Sequence, residues 1–132
     1  MHDGLKLGWY VLERGAIPAE RWEKAYGWSK TEARKMDGSS TEVRLFFITP
    51  QGERREIGEN VDSQFEFGYG GTGPHTSAAA IVADLTERER VDNFAPATLR
   101  ELIPELFEGG QQRELFVFAA DVLARLQEIE AA

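Results

Sequence analysis

The sequence contains no cysteine, and this absence excludes several kinds of chemistry. Without thiols there is no disulfide framework, no thiolate zinc site, no iron–sulfur cluster and no cysteine nucleophile. Histidine is scarce as well, since the chain has two and only His75 falls inside the expected fold. We therefore predict no metal site and no cofactor, because a histidine-based metal site needs several imidazoles close together.

Long apolar runs are also missing. No apolar stretch approaches the roughly 20 residues that a membrane-spanning helix needs, and the opening residues Met1-His2-Asp3-Gly4 lack the pattern of a secretory signal. We therefore expect a cytoplasmic location and no membrane association. The length of 132 residues, with 42% hydrophobic and 11% aromatic residues, predicts a single domain over residues 1–132 with one core.

Positive charge is scarce in the second half of the chain. The formal net charge is -8; residues 1–60 carry ten basic and ten acidic side chains, whereas residues 61–132 carry five basic and thirteen acidic ones. Such a surface repels a phosphate backbone, so nucleic acid is not an expected partner. It leaves open the alternative of an acidic inhibitor that mimics nucleic acid and blocks a basic protein.

Alternating apolar residues predict a small, mainly antiparallel sheet of three to four strands. The predicted strands are residues 5–13, 41–49, 53–57 and 64–69. Both faces of the second strand are apolar, which indicates a central position, and Pro50-Gln51-Gly52 predicts a hairpin turn into the third. With helices at the C-terminal end packed on this sheet, the fold class is predicted to be α+β.

Helical spacing and capping signals predict five helices. They are expected at residues 17–26, at residues 29–37 behind a Ser29-to-Glu32 capping box, from Pro74 with a stripe of Ala78, Ile81, Val82 and Leu85, from Thr98 to Gly109-Gly110, and over residues 112–129 with a stripe of Leu115, Ala119, Val122, Leu126 and Ile129. Residues 86–92 are predicted to form a charged connector. Pro104 is predicted to kink or split the fourth helix.

The glycine-rich segment of residues 68–73 is the strongest functional signal. Gly68, Gly70 and Gly73 have the spacing G-x-G-x-x-G between a predicted strand and a predicted helix, as in dinucleotide-binding folds. The other requirements of those folds are missing, because no buried parallel strand follows the helix and no Gly-Lys-Ser/Thr closes the run. Two interpretations remain open: a tight strand-to-helix turn with close packing, or a pocket for a small ligand or anion built on this turn.

If the pocket exists, its lining should come from the turn and the first helical turn. The candidate ligand-binding residues are Tyr69, Gly70, Gly71, Thr72, Gly73, His75, Thr76 and Ser77. No catalytic residue is assigned, because nothing in the spacing brings Asp62, Glu66 or Asp84 to His75 as a hydroxyl–histidine–carboxylate site would require. The favoured function is a non-enzymatic binding or regulatory module that takes a small anionic ligand or a protein partner. A small enzyme or nucleotide-binding protein using the loop of residues 68–73 is the alternative, and the oligomeric state is left open.

Aromatic residues are concentrated near the start of the chain. Trp9, Tyr10, Trp22, Tyr26 and Trp28 all lie within the first 28 residues. Core packing is the favoured interpretation, and a protein-binding face is the alternative, because Trp and Tyr are common anchors at interfaces.

The glycine segment also resembles a known family. It reads Phe65-Glu66-Phe67-Gly68-Tyr69-Gly70-Gly71-Thr72-Gly73-Pro74, similar to the segment Phe-Glu-Trp-Gly-Tyr-Gly-Gly-Ser-Gly-Pro of an uncharacterised family of small bacterial and phage proteins. The likeness extends over residues 45–84, with Phe67 in place of the family's usual tryptophan and Thr72 in place of its usual serine. The resemblance implies a shared structural unit and a mobile-element or actinobacterial setting, and it brings no biochemical activity with it.

Overall fold

The fold is described from a computed structural model that covers residues 7–37, 41–58, 64–89, 98–110 and 112–131. Four strands form one antiparallel sheet: β1 (Trp9–Ala16), β2 (Thr41–Ile48), β3 (Arg54–Ile57) and β4 (Glu114–Phe118). Their order is β3-β2-β1-β4. The predicted α+β class with a small antiparallel sheet is therefore confirmed.

The β2–β3 hairpin follows the prediction closely. Glu53 accepts a hydrogen bond from the Thr49 amide (2.8 Å), and the Gly52 amide donates to the Thr49 carbonyl (2.8 Å). Gly52 has φ +90°, a backbone conformation that glycine adopts without the steric cost of a side chain. β2 lies between β3 and β1, so its central position is confirmed.

The fourth strand is not where the sequence predicts it. Residues 64–69 form no strand, although Phe65 and Phe67 are buried as expected. The backbone of this segment bonds to helical elements instead, because the Glu66 amide donates to Ser77 Oγ (2.9 Å) and the Gly68 amide donates to the Leu106 carbonyl (2.8 Å). The position beside β1 is taken by β4.

Helices account for most of the remaining described chain. They are α1 (Ala19–Tyr26), α2 (Lys30–Lys35), α3 (Thr72–Glu89), α4 (Leu99–Leu102), a 3₁₀ helix (Pro104–Phe107) and α5 (Ala119–Ala131). The N-cap half of the predicted capping box is confirmed, since Ser29 Oγ accepts from the Glu32 amide (3.2 Å), while the Glu32 carboxylate accepts from the Ser29 hydroxyl (3.3 Å). Pro104 splits the fourth helix as predicted.

Two helix predictions need correction. The charged connector predicted over residues 86–92 is wrong in its first part, because α3 continues to Glu89; residues 90–97 lie outside the described residues. The helix predicted over residues 112–129 begins only at Ala119, since β4 precedes it. Leu115 therefore packs against the core from a strand, while Ala119, Val122 and Leu126 are buried helical residues as predicted.

One core joins the inner sheet face to α3, α4, the 3₁₀ helix and α5. Tyr10, Leu12 and Leu45 from the sheet meet Ile81 and Leu85 of α3, all at most 1% exposed. Burial of this apolar area is the main favourable contribution to folding. Within the described part of the chain, no helix is long and apolar enough to cross a membrane.

Four of the five aromatic residues near the start of the chain divide into two groups, and the fifth, Trp9, is half-buried on β1. Tyr10 is fully buried in the core, as the packing interpretation predicts. Trp22, Tyr26 and Trp28 instead stack on one another outside the core cluster, with ring centroids 5.2–5.6 Å apart; Tyr26 is exposed, and Trp22 and Trp28 are half-buried. The core-packing prediction is wrong for these three side chains, because none of them belongs to the core cluster.

Candidate functional site

The glycine segment is hydrogen-bonded to the 3₁₀ helix and to the loop that follows it. The Gly68 amide donates to the Leu106 carbonyl, and the Gly110 amide donates to the Gly68 carbonyl (3.1 Å). A side chain at Gly68 would collide with the Gly110 carbonyl, and Gly68 has φ +100°, so both space and backbone conformation require glycine here. This glycine serves close packing.

At Gly70, Gly71 and Gly73, neighbouring side chains occupy the space that a side chain of the residue itself would need. A methyl group at Gly71 would lie 2.6 Å from the Tyr69 ring, and one at Gly73 would lie 2.5 Å from Glu66 Cβ. At Gly70 the nearest atom would be Nη1 of Arg100, at 3.3 Å. The turn is therefore tightly packed, with the Tyr69 ring folded over it and an arginine beside it.

The start of α3 retains fewer spare amides than the sequence suggests. Of the first four residues of a helix, none has an intrahelical acceptor for its N–H group. Pro74 has no N–H group, and the His75 amide is bonded to the Gly71 carbonyl (3.2 Å). Within the described residues, Thr72 and Gly73 are left as the helical amides without an acceptor.

Two of the candidate side chains are used in local structure. Ser77 is fully buried, accepts from the Glu66 amide and lies 2.7 Å from the Glu66 carbonyl, to which its hydroxyl donates. Thr76 Oγ1 donates to the Thr72 carbonyl (3.0 Å). Ser77 is therefore a structural tie between α3 and residue 66, and it does not face a ligand.

Six of the eight candidate residues line two concavities that share Thr72, and Gly70 and Ser77 line neither of them. The first, about 330 Å³, has Tyr69, Thr72 and Gly73 in its wall together with Glu42 and Glu66. The second, about 370 Å³ and open to solvent, is lined by Gly71, Thr72, His75 and Thr76. Carboxylates in the first wall offer acceptor oxygens, whereas the second wall contains no carboxylate.

Ion pairs compensate both carboxylates of the first concavity. Glu66 receives two bonds from Nη1 of Arg14, at 2.7 and 2.8 Å, and the Arg14 guanidinium also lies 4.7 Å from the centre of the Phe67 ring. Glu42 lies 2.9 Å from Nε of Arg21 and is 9% exposed. Because Arg14 and Arg21 are already paired with these acids, neither arginine is free to bind an anion in the first concavity.

Arg100 adds a positive charge to the turn that the sequence analysis missed. Its guanidinium lies beside Gly70 and 5.2 Å from the centre of the Phe107 ring. The His75 ring meets the same Phe107 ring edge-on, with centroids 6.3 Å apart. In the part of the chain that the structure describes, Arg100 makes no ion pair. Phe107 therefore contacts both Arg100 and His75 at one end of α3.

A second electrostatic network lies away from the glycine segment and joins β1 to α3. The Tyr10 hydroxyl donates to Asp84 Oδ2 (2.6 Å), and Asp84 also accepts from Arg88 (2.6 Å) and Arg55 (2.9 Å). Burial alone would raise the pKa of Asp84, but these three hydrogen bonds outweigh it and hold the pKa below its ordinary value. Burial, with the bond to Asp84, raises the pKa of Tyr10.

The geometry does not assemble a catalytic triad from the candidate residues. Ser77 Oγ is bonded to backbone groups of Glu66 and Gly73, and His75 is an exposed residue of the first turn of α3. Asp84 is bonded to Tyr10, Arg88 and Arg55. Among the described residues, no group of three or more His, Asp or Glu side chains is placed to hold a metal ion.

No protein-family model, curated protein or solved structure matches this chain. The resemblance of residues 65–74 to the uncharacterised bacterial and phage family therefore stays a prediction.

Proposed function

We propose that this chain is a non-enzymatic binding module that takes a small anionic ligand at the start of α3. The observation that carries the proposal is Arg100, whose guanidinium is held beside Gly70 by the Phe107 ring and makes no ion pair within the described residues. The ligand would lie on the side of the turn lined by Gly71, Thr72 and His75.

Three features favour an anion at this end of α3. The N-terminus of α3 carries a partial positive charge and the amides of Thr72 and Gly73, and a helix of 18 residues has a full macrodipole. The Arg100 guanidinium supplies a full charge and paired donors that match carboxylate or phosphate oxygens. The exposed His75 ring adds a further hydrogen-bonding group to the wall of this concavity.

A free positive charge at the start of α3 differs from the predominantly negative charge of the chain. With a net charge of -8, most of the surface repels anions. Several cations are already paired, for example Arg14 with Glu66 and Arg125 with Glu105. An anion that binds here must therefore be small, because a larger polyanion would also meet the acidic surface.

The test is calorimetric titration with inorganic phosphate and with a small dicarboxylate, on the wild-type chain and on Arg100→Gln. Loss of a charge-assisted contact costs on the order of 1.5–3 kcal/mol, so the variant should bind at least about tenfold more weakly. Arg113→Gln is the matched control, because Arg113 is an exposed arginine whose loss changes the net charge equally.

Equal weakening in both arginine variants would contradict the proposal, since it would indicate a diffuse charge effect. Absence of any binding to the wild-type chain would contradict it as well. A thermal-shift screen with nucleotides and phosphorylated metabolites separates the simple anion site from the nucleotide-binding alternative. A shift that needs the nucleobase would favour that alternative.

A protein partner is a second candidate, favoured by the surface cluster of Trp22, Tyr26 and Trp28. Stacked tryptophan and tyrosine rings outside the core are typical anchors of interfaces.

The alternative of an acidic inhibitor that mimics nucleic acid predicts binding to a basic protein, with an affinity that weakens steeply as salt rises. An affinity unchanged between low and high salt would count against it.

A further inference from the structure

The strand β4 forms one edge of the sheet, and its bonds to β1 show which of its backbone groups face outward. The Arg14 amide donates to the Arg113 carbonyl (2.7 Å). In an antiparallel pair, successive residues direct their backbone groups alternately to the two sides of the strand. Odd-numbered residues of β4 therefore bond to β1, whereas Glu114 and Phe116 direct their N–H and C=O groups away from it.

The side chains of these two residues lie on the outer face of the sheet. Glu114 is opposite Glu13 and Phe116 is opposite Val11 in the ladder with β1, and none of the four belongs to the core cluster on the inner face. The Phe116 side chain is 49% exposed. An apolar side chain from a further strand would therefore cover the Phe116 ring, as cross-strand neighbours do within a sheet.

Glu114 lies next to a charge of the same sign. Like charges directly opposite each other destabilise an antiparallel pair. Glu13 has a cationic partner in Arg54 (2.6 Å), whereas Glu114 is exposed and makes no ion pair with any described residue. A basic side chain in a further strand, opposite Glu114, would compensate this carboxylate.

The inner side of the same end of β4 is acidic as well. A hollow of about 280 Å³ has the apolar side chains Phe67 and Leu115 in its wall together with Glu105 and Glu108. Glu105 has an arginine partner, but Glu108 is exposed and unpaired in the part of the chain that the structure describes. Arg113, the nearest cation in sequence, makes an ion pair with neither. This local charge, with the net charge of -8, favours a basic partner and disfavours an acidic one.

The two edges of the sheet differ in how they are protected. The edge strand β3 is four residues long and consists of Arg-Arg-Glu-Ile, with Arg54 paired to Glu13 and Arg55 paired to Asp84. Charged, short edges of this kind resist pairing with another chain. β4 has the sequence Glu-Leu-Phe-Val-Phe, with no proline, no lysine and no charge after its first residue.

We propose that the edge of β4 binds an extended, basic segment of a partner protein, which adds to the sheet as an antiparallel strand. Glu114 and Phe116 each donate and accept one backbone hydrogen bond with the added segment. The partner residue opposite Phe116 is apolar, and the residue two positions later, opposite Glu114, is lysine or arginine. The contact ends at Phe116, since Phe118 has an interaction of its own.

An NMR titration of isotope-labelled protein with the blocked peptide Thr-Thr-Val-Thr-Lys-Thr-Thr tests the proposal. The valine is then opposite Phe116 and the lysine opposite Glu114. The amide signals of residues 114–116 should shift saturably, and the Phe116 amide should exchange with solvent more slowly in the complex. N-methylation of the valine removes its bond to the Phe116 carbonyl and should weaken binding between about twofold and tenfold. N-methylation of the threonine between valine and lysine is the matched control, because that N–H group points away from β4.

An exchange of charges tests the choice of partner. Glu114→Lys should weaken binding of the lysine peptide and strengthen binding of a peptide with glutamate in place of the lysine, each by about twofold to fivefold. Glu53→Lys changes the net charge equally at an exposed turn next to the opposite edge strand, and it should leave both affinities unchanged.

Four results would overturn the proposal. They are no binding of the lysine peptide, equal weakening by both N-methylated peptides, equal effects of the two charge variants, and a Phe116 amide that is already protected from exchange in the free chain. Sedimentation equilibrium of the free chain covers the other occupant. A dimer whose formation protects the Phe116 amide would assign the edge to a second copy and would contradict the proposal as well.

Discussion

Replacing Asp84 with Asn should destabilise the fold in a way that depends on pH. Asp84 is 16% exposed and accepts three hydrogen bonds, of which the bond from the Tyr10 hydroxyl is the most buried. A hydrogen bond to a charged group contributes about 1.5–3 kcal/mol. Arg55 is 57% exposed and adds almost nothing, and the pair with Arg88 on the same helix adds about 0.3–0.5 kcal/mol.

The free energy of unfolding should therefore fall by about 2 kcal/mol at neutral pH. For a chain of this size, that corresponds to a decrease in Tm of about 7 °C. Tyr10→Phe should cost slightly less, about 1–2 kcal/mol, because Asp84 keeps both arginines and the phenyl ring leaves no buried hydroxyl unpaired. Urea unfolding followed by tryptophan fluorescence measures both.

The pH dependence follows from the lowered pKa of Asp84. The stabilisation is fully present above the carboxyl pKa of the unfolded chain and is lost as the pH falls through the lower pKa of the folded state. The difference between wild type and Asp84→Asn should be constant from about pH 7 to about pH 5 and shrink below about pH 4. Glu128→Gln, at an exposed position of α5, is the charge-matched control. A difference independent of pH, or equal in the control, would refute the reasoning.

Two substitutions test the packing of the glycine segment. Gly68→Ala should lower the free energy of unfolding by more than about 3 kcal/mol, because the added methyl group meets the Gly110 carbonyl. Gly52→Ala is the control: it is also at positive φ but has nothing near the added methyl group, so it should cost only about 1–2 kcal/mol of backbone strain. Comparable losses of the two variants in urea unfolding would contradict the role of packing. Ser77→Ala should cost about 1–3 kcal/mol because it leaves the buried Glu66 amide unpaired, and Thr76→Ala should be nearly neutral. Equal effects of these two on Tm would show that Ser77 is not the tie described above.

Local signals account for the parts of the fold that the sequence predicts correctly. The hairpin of β2 and β3 has alternating apolar residues and a turn whose Gly52 adopts positive φ, so its register is set within a few residues. The Ser29 capping box and the break at Pro104 are equally local. The hairpin turn and the Ser29 cap are closed by hydrogen bonds between residues at most four positions apart, and Pro104 ends the helix because it has no N–H group.

The two misplaced strands show where local signals fail. Phe65 and Phe67 alternate as in a strand, yet tertiary bonds to Ser77 and Leu106 take up the backbone. Around residue 118, the spacing of Leu115, Ala119 and Val122 fits one helical stripe, because the last inward residues of β4 happen to continue the stripe of α5. The aromatic and β-branched run Phe116-Val117-Phe118 was the available signal for a strand.

The sequence brought out the glycine segment but not the charge beside it. Arg100 is 30 positions from Gly70, and only the packing of α4 and the 3₁₀ helix against α3 places the guanidinium next to the turn. Conversely, Ser77 was a candidate for ligand contact because it follows the turn, and burial assigns it to structure. Such placements depend on contacts between distant elements, which periodicity does not encode.

The proposed anion lies between Arg100 and the amides at the start of α3. An amide-resolved NMR titration of isotope-labelled protein with inorganic phosphate tests it most directly. If the anion binds there, saturable shifts should be confined to Gly70, Gly71, Thr72, Gly73 and the Arg100 side chain; Arg100→Gln should weaken them and Arg113→Gln should leave them unchanged. Shifts spread over the exposed lysines and arginines, or none at residues 70–73, would contradict it.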